Sequence, residues 1–220
     1  MKVDFTLSGE PGDGDLAAAA ELRRYDGLWL PEITHDPFPL LAVAASRTET
    51  IELGTAIAVA FARNPMSMAL VANDLQLYSG GRFLLGVGSQ IKPHITNRFS
   101  MPWSAPADRM REYVLAVREI WHSWATGELL NFVGEFYTHT LMTPFFNPGP
   151  NPYGNPPTIL AGVGPRMTQV ALGGEAVHEE AVATSPATCV IRVPTPARMV
   201  GGLPYGLGPG LKNGVISVCV

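Results

Sequence analysis

Short apolar runs alternate with longer helix-like stretches through the first 172 residues of this 220-residue chain. An apolar run at residues 3–7 is followed by an alanine-rich stretch at 14–24 and then by a second apolar run at 27–30. This rhythm is typical of βα units, in which helices cover a parallel sheet. It predicts an α/β fold and excludes all-α and all-β architectures.

The same rhythm continues beyond the second strand. Asp36-Pro37 and Asn64-Pro65 each place a capping side chain before a first-turn proline, which predicts helix starts at both points. The amphipathic pattern of residues 107–124 predicts a long core-facing helix. The other predicted elements are strands at 51–60, 82–87 and 158–161, a hairpin at 132–140, an irregular segment at 145–157 and a helix at 166–172.

Periodicity is lost at about residue 173, where alanine, valine, proline and glycine replace charged helix-forming sequence. We therefore divide the chain into a βα region, 1–172, and an irregular tail, 173–220. Two origins of the tail stay open. It is either a divergent segment of the protein or the product of a reading-frame change or truncation in the source gene.

Composition restricts the partners that we expect. The formal net charge is -4 and only 15% of residues are charged, so the chain offers no basic field for nucleic acid or an anionic membrane. The two cysteines have no metal-ligand spacing, and no signal peptide or apolar run of about 18 residues is present. These features predict a cytoplasmic protein that binds a small organic molecule and no metal.

Active sites of parallel βα folds gather where strands end, so the residues that follow each strand are the informative ones. Four such corners contain small residues, hydroxyls, and one acid and histidine pair. The candidate site residues there are Glu32 and His35 after the second strand, Thr55, Ala56 and Ile57 after the third, Gly88 and Ser89 after the fourth, and Gly162, Val163, Gly164, Pro165, Arg166 and Thr168 after the fifth.

The turn at residues 162–168 passes from a strand through two glycines into a helix. Unpaired backbone N–H groups at such a helix start favour an anion, and Arg166 or Thr168 would add donors, so the turn is a candidate phosphate site. The alternative is an ordinary tight corner. A dinucleotide-binding fingerprint fits less well, because no acidic residue follows at the expected distance.

His35 is the candidate proton donor or anchor for a cofactor ring, since imidazole titrates near neutral pH and the residue follows a strand end. The alternative is that His35 is structural. Glu32 either polarises His35 or caps the helix that starts near Asp36. His94 is a weaker candidate of the same kind.

Five stretches together resemble a known family, because they occur in order with family-like spacing. They are residues 25–32 (YDGLWLPE), 51–57 (IELGTAI), Asn64-Pro65, 79–88 (SGGRFLLGVG) and 162–168 (GVGPRMT). The series resembles the luciferase-like monooxygenase superfamily, and within it the branch of oxidoreductases that use coenzyme F-420. The resemblance covers residues 1–172 and implies a TIM-like (β/α)8 barrel. Only about five βα units are present, so we expect the barrel to be incomplete.

The resemblance implies roles for the candidate residues. The Ala56–Ile57 bond matches a non-prolyl cis peptide in a bulge that supports the cofactor ring, and the 162–168 turn matches the loop that holds the cofactor phosphate. Glu32 matches an acidic position at the end of the second strand. His35 matches the family histidine only with a two-residue shift in the alignment. The implied cofactor is coenzyme F-420, with FMN as the alternative.

Departures from the family narrow the expected activity. Ser89-Gln90-Ile91-Lys92 lacks the acid of sugar-phosphate-oxidising relatives, and an arginine of FMN-binding luciferases is also absent. We expect hydride transfer between F-420 and an organic substrate, or FMN-dependent oxygenation. The alternatives are a non-catalytic cofactor-binding or interaction remnant and a different barrel enzyme acting on a phosphorylated substrate. An exposed sheet edge would favour association, including a homodimer.

Overall fold

The computed structural model describes residues 2–10 and 12–171 and the backbone of residues 189–192. The strands are β1 (Asp4–Thr6), β2 (Gly27–Leu30), β3 (Glu52–Thr55), β4 (Ala58–Val59), β5 (Phe83–Gly88), β6 (Phe132–Val133), β7 (Thr138–His139), β8 (Thr158–Gly162) and β9 (Cys189–Arg192). The helices are α1 (Asp13–Leu22), α2 (Pro37–Arg47), α3 (Pro65–Tyr78), α4 (Pro106–Thr126) and α5 (Pro165–Ala171).

The sheet has the strand order β1-β2-β3-β5-β8-β9, and β4 pairs with β5 beyond the end of β3. In this sheet β1, β2, β3, β4, β5 and β8 form only parallel pairs with one another, and each strand position is followed by a helix. This is the arrangement of the first five βα units of a barrel, so the predicted α/β class and incomplete barrel are confirmed. The predicted hairpin is also present, since β6 and β7 pair in antiparallel register.

A one-residue bulge interrupts the third strand position. Gly54 pairs with Leu84, and the next pair is Ala58 with Val87. Three residues, 55–57, therefore lie opposite two residues of β5, which is the count that defines a β-bulge. We call residues 55–57 the bulge segment. It turns the chain at the carboxyl end of the sheet, where the candidate site was predicted.

Helix starts follow the local signals in the sequence. Asp36 caps α2 by accepting a hydrogen bond from the Phe38 N–H at 3.0 Å, and Asn64 caps α3 by accepting from the Ser67 N–H at 2.8 Å. The amphipathic helix α4 packs against α3 and α5 and buries its apolar face. The buried residues of that face are Met110, Tyr113, Val114, Val117, Ile120, Trp121 and Trp124.

The predicted irregular tail lies outside the described residues except for β9. This strand pairs with β8 in antiparallel register, from Ile159 opposite Arg192 to Gly162 opposite Cys189. The sequence did not predict it, because four residues, of which only Cys189, Val190 and Ile191 are apolar, are too short a pattern to identify a strand. None of the helices in the described part of the chain is long and apolar enough to cross a membrane.

Glu21, on α1, holds the turn that leads into β3. Its carboxylate accepts hydrogen bonds from the main-chain N–H groups of Glu49, Thr50 and Ile51 at 2.6 to 3.1 Å, and from the Thr50 hydroxyl at 2.9 Å. Partial burial alone would raise the pKa of Glu21, but these bonds outweigh it and lower the pKa to about 2. The ionised carboxylate therefore stabilises the folded state.

We expect Glu21→Gln to lower the free energy of unfolding by about 1 kcal/mol at pH 7, with partial solvent exposure moderating the loss. Because the folded-state pKa is depressed, this contribution is complete above the unfolded-state value of about 4.3 and declines as the pH falls toward 2. Urea denaturation at a series of pH values measures the difference between the two proteins. A gap that stays constant from pH 7 to pH 2 would contradict the role of the charge.

Candidate active site

The four predicted corners meet at the carboxyl edge of the sheet, which we call the mouth. The Ala56 N–H donates to the Leu30 carbonyl at 3.0 Å, which joins the bulge segment to the end of β2. On the other side, a Cβ placed on Gly88 would lie 2.9 Å from Ile57 Cδ1 and 3.4 Å from Ala161 Cβ. The ends of β2, β5 and β8 therefore surround the bulge segment.

The peptide bond between Ala56 and Ile57 is cis, as the resemblance led us to expect. Thr55, just before it, is 1% exposed, and its hydroxyl donates to the Gly86 carbonyl at 2.6 Å while accepting from the Gly86 N–H at 2.9 Å. Both functions of the hydroxyl are thus used within the sheet. Thr55 fixes the bulge segment against β5, and its direct contact with a cofactor stays a prediction.

The Glu32 carboxylate accepts hydrogen bonds from residues that the sequence did not indicate as its partners. Its Oε2 accepts from the Val59 N–H at 2.8 Å and from Arg63 Nη1 at 2.6 Å, while Arg63 Nη2 reaches Asp36 at 2.7 Å. The expectation that Glu32 caps the next helix is wrong, because Asp36 caps α2. Within the described residues no hydrogen bond joins Glu32 to His35, and a catalytic role of Glu32 stays a prediction. Sequence reasoning missed Arg63, whose only signal is its position just before the Asn64 cap.

His35 lies at the mouth beside the loop after β1. Its side chain is exposed, and its ring is 3.7 Å from the Cβ position of Gly9. Within the described residues it forms no hydrogen bond, so its ring nitrogens are open to a ligand or to solvent. His94 begins an exposed π-helical turn, His94–Arg98, in the loop after β5. The catalytic role of His35 stays a prediction.

The turn at residues 162–168 connects β8 to α5 as predicted. Gly164 has φ +80, and a Cβ at this position would contact nothing within 4 Å, so the backbone is open to approach. Residues 163–166 are all exposed. The Thr168 hydroxyl donates to the Gly164 carbonyl at 3.0 Å, so in this arrangement it stabilises the turn. Exposed backbone at the start of a helix favours the binding of an anionic group.

Exposed apolar side chains border the mouth on several sides. Ile33 after β2, Ile91 after β5 and Val163 after β8 are 62%, 57% and 70% exposed. The loop after β5 is tied to the loop after β2, because Arg98 Nη2 donates to the Ile33 carbonyl at 3.0 Å. Apolar surface around a backbone anion site suits a flat aromatic ring that carries a phosphate. No group of metal-ligating side chains occurs among the described residues.

Comparison with known proteins places this geometry in a family. The sequence model of the luciferase-like monooxygenase family matches residues 13–173. An uncharacterized protein of Mycobacterium tuberculosis is 56% identical over 171 residues, which are 77% of this chain and 50% of the relative. The F420-dependent glucose-6-phosphate dehydrogenase of Amycolatopsis mediterranei is 31% identical over 163 residues, covering 62% of this chain and 45% of that enzyme.

The fold is shared with solved structures at lower identity. The oxygenating constituent of 3,6-diketocamphane monooxygenase from Pseudomonas putida, solved in complex with FMN, superposes with a TM-score of 0.61 at 17% identity. The match covers 74% of this chain and 52% of that structure. The chain thus spans about half the length of the relatives that it matches.

Proposed function

The chain belongs to the luciferase-like monooxygenase family, and we propose that it binds coenzyme F-420, or alternatively FMN, at the mouth and serves an oxidoreductase reaction on an organic small molecule. The observation that carries the proposal is the position of the bulge segment, which lies between the ends of β2, β5 and β8. When bound, such a cofactor supplies hydride transfer, or oxygen activation in the case of FMN.

The residues of this chain orient and shield the cofactor. Ala56 and Ile57 would support the flat ring, and Gly88 and Ser89 would border it, since a side chain at Gly88 would press on Ile57. The open backbone of residues 162–166 would hold the phosphate, with Arg166 as an additional cation. His35, exposed beside the mouth, is the candidate to hold or deliver a proton at the substrate.

A second candidate function is suggested by the partial match to the relatives. The match covers only 50% of the mycobacterial relative and 45% of the dehydrogenase, so the rest of each relative has no counterpart in it. The chain would then be a non-catalytic remnant that binds the cofactor or a protein partner. In the relatives, the unmatched part would supply some of the wall that encloses the substrate in a complete barrel.

Titration of the purified protein with F-420 and with FMN, followed by cofactor fluorescence, separates these functions. Saturable binding of one cofactor with turnover of an organic substrate supports the enzyme, and binding without turnover supports the remnant. Binding of neither cofactor overturns the proposal. The two cofactors are compared at equal ionic strength, because both carry negative charge.

Val163→Asp tests the phosphate position. Val163 is 70% exposed, so the substitution should leave the fold intact, but a carboxylate beside the 162–168 turn would repel the phosphate and weaken cofactor binding about tenfold. Leu129→Asp is the matched control, since Leu129 is 87% exposed and follows the end of α4 remote from the mouth. Equal weakening by both variants, or by neither, would contradict this placement.

A further inference from the structure

One residue, Glu32, bonds the chain on both sides of Ala58. Its main-chain N–H donates to the Ile57 carbonyl at 3.3 Å, and its Oε2 accepts from the Val59 N–H at 2.8 Å. A bulge disrupts the ladder between neighbouring strands, so the local backbone needs other partners. Glu32 supplies two of these bonds from the end of β2.

Arg63 completes this arrangement. Its Nη1 contacts Glu32 Oε2 at 2.6 Å and the Val59 carbonyl at 3.3 Å, and its Nη2 contacts Asp36 at 2.7 Å. The guanidinium also lies over the Phe38 ring, 5.3 Å from its centroid. It is held on three sides, by Glu32, Asp36 and Phe38, and it fixes the carboxylate of Glu32 in turn.

Both charges are largely withdrawn from solvent, since the side chains of Glu32 and Arg63 are 6% and 19% exposed. Burial would lower the pKa of Arg63, but its hydrogen bonds to Glu32 and Asp36 and their negative charges outweigh this and raise it.

We propose that Glu32 and Arg63 are a positioning pair that holds residues 56–59 in place at the mouth, and that Glu32 acts through this backbone and not as an acid or base. We call this hold of Glu32 and Arg63 on residues 56–59 the clamp, and it is supported by the contacts alone. Its consequence for the cofactor ring rests on the proposed function. Truncating either partner should loosen the same few residues, because each side chain depends on the other.

Hydrogen–deuterium exchange of peptides covering residues 56–60 tests the clamp without any cofactor. We expect Glu32→Gln and Arg63→Met each to speed exchange there about tenfold, and the double variant to add little to either. Glu112→Gln is the control. The Glu112 carboxylate accepts from the N–H groups of Glu135, Phe136 and Tyr137, so its loss should speed exchange in the β6–β7 hairpin only. Unchanged or fully additive exchange at residues 56–60 overturns the clamp.

Cofactor titration of the same proteins tests the consequence. A positioning pair predicts that Glu32→Gln and Arg63→Met weaken F-420 or FMN binding by similar factors, about five- to tenfold, and that the double variant matches the singles. A proton-transfer residue predicts unchanged cofactor affinity for Glu32→Gln, which would overturn the inference. If the unmodified protein binds neither cofactor, the proposed function fails, and the exchange experiment still decides the clamp.

Discussion

Gly86→Ala is expected to destabilise the protein by more than about 3 kcal/mol, a large share of the roughly 5 to 15 kcal/mol that stabilises a typical domain. Gly86 lies in β5 directly against the bulge segment. A Cβ at this position would overlap the Thr55 carbonyl oxygen, which is backbone and has no rotamer with which to move away. The strands would have to separate, and the two hydrogen bonds between the Thr55 hydroxyl and Gly86 would be lost.

The matched control for this prediction is Gly127→Ala. Gly127 ends α4 with φ +74, and an added Cβ would contact nothing within 4 Å, so this substitution carries only a conformational cost of about 1 kcal/mol. Urea denaturation, or the yield of folded protein where unfolding is complete, measures both variants. Equal losses would show that the close approach of β3 and β5 does not restrict position 86.

Arg82→Met should produce the second large effect, a loss of about 3 to 4 kcal/mol. Arg82 lies in the turn before β5, at the edge of the sheet opposite the mouth. Its guanidinium donates to the main-chain carbonyls of Ala45, Thr48, Ile51 and Ser79 and to the Thr48 hydroxyl, at 2.7 to 3.2 Å. Without the guanidinium, the end of α2 and the start of β3 are no longer joined by a common donor. Their main-chain carbonyls are then left without hydrogen-bond partners.

The exposed Arg47 provides the control for Arg82. Arg47 pairs with Asp15 at the surface, so Arg47→Met removes the same kind of side chain and should cost less than about 0.5 kcal/mol. Arg82→Lys should fall between the two, because an ammonium cannot reach all five acceptors. Denaturant midpoints compare the three variants. A loss for Arg82→Met no larger than for Arg47→Met would contradict the role of this hydrogen-bond network.

Local signals predicted the elements that depend on neighbouring residues. The α3 start at Pro65 follows from Asn64 as cap and proline in the first turn, and both act within four residues. The long helix predicted at 107–124 extends from Pro106 to Thr126, because its 3.6-residue periodicity is a property of the segment itself. The ordered motifs also located the cis bond at Ala56–Ile57, through the family that they resemble.

Local sequence signals could not predict which residues contact each other across the sheet. Arg63 and Glu32 are 31 positions apart, and they meet because β2 and the bulge are neighbours in the strand order. The Thr55 hydroxyl likewise meets Gly86 because β3 and β5 are neighbours in the strand order. The sequence placed Glu32, Thr55 and Ile57 at strand ends, but it did not say which atoms each would contact.

The sequence alone determined the α/β class, the order of five βα units, the helix starts and the position of the mouth, because periodicity, caps and turn residues act over a few residues. Tertiary structure decided that Glu32 is bound by Arg63, that Arg82 joins α2 to β3, and that β9 lies antiparallel beside β8. Those contacts depend on strand register and on the bulge, which bring together groups that no local pattern in the chain connects.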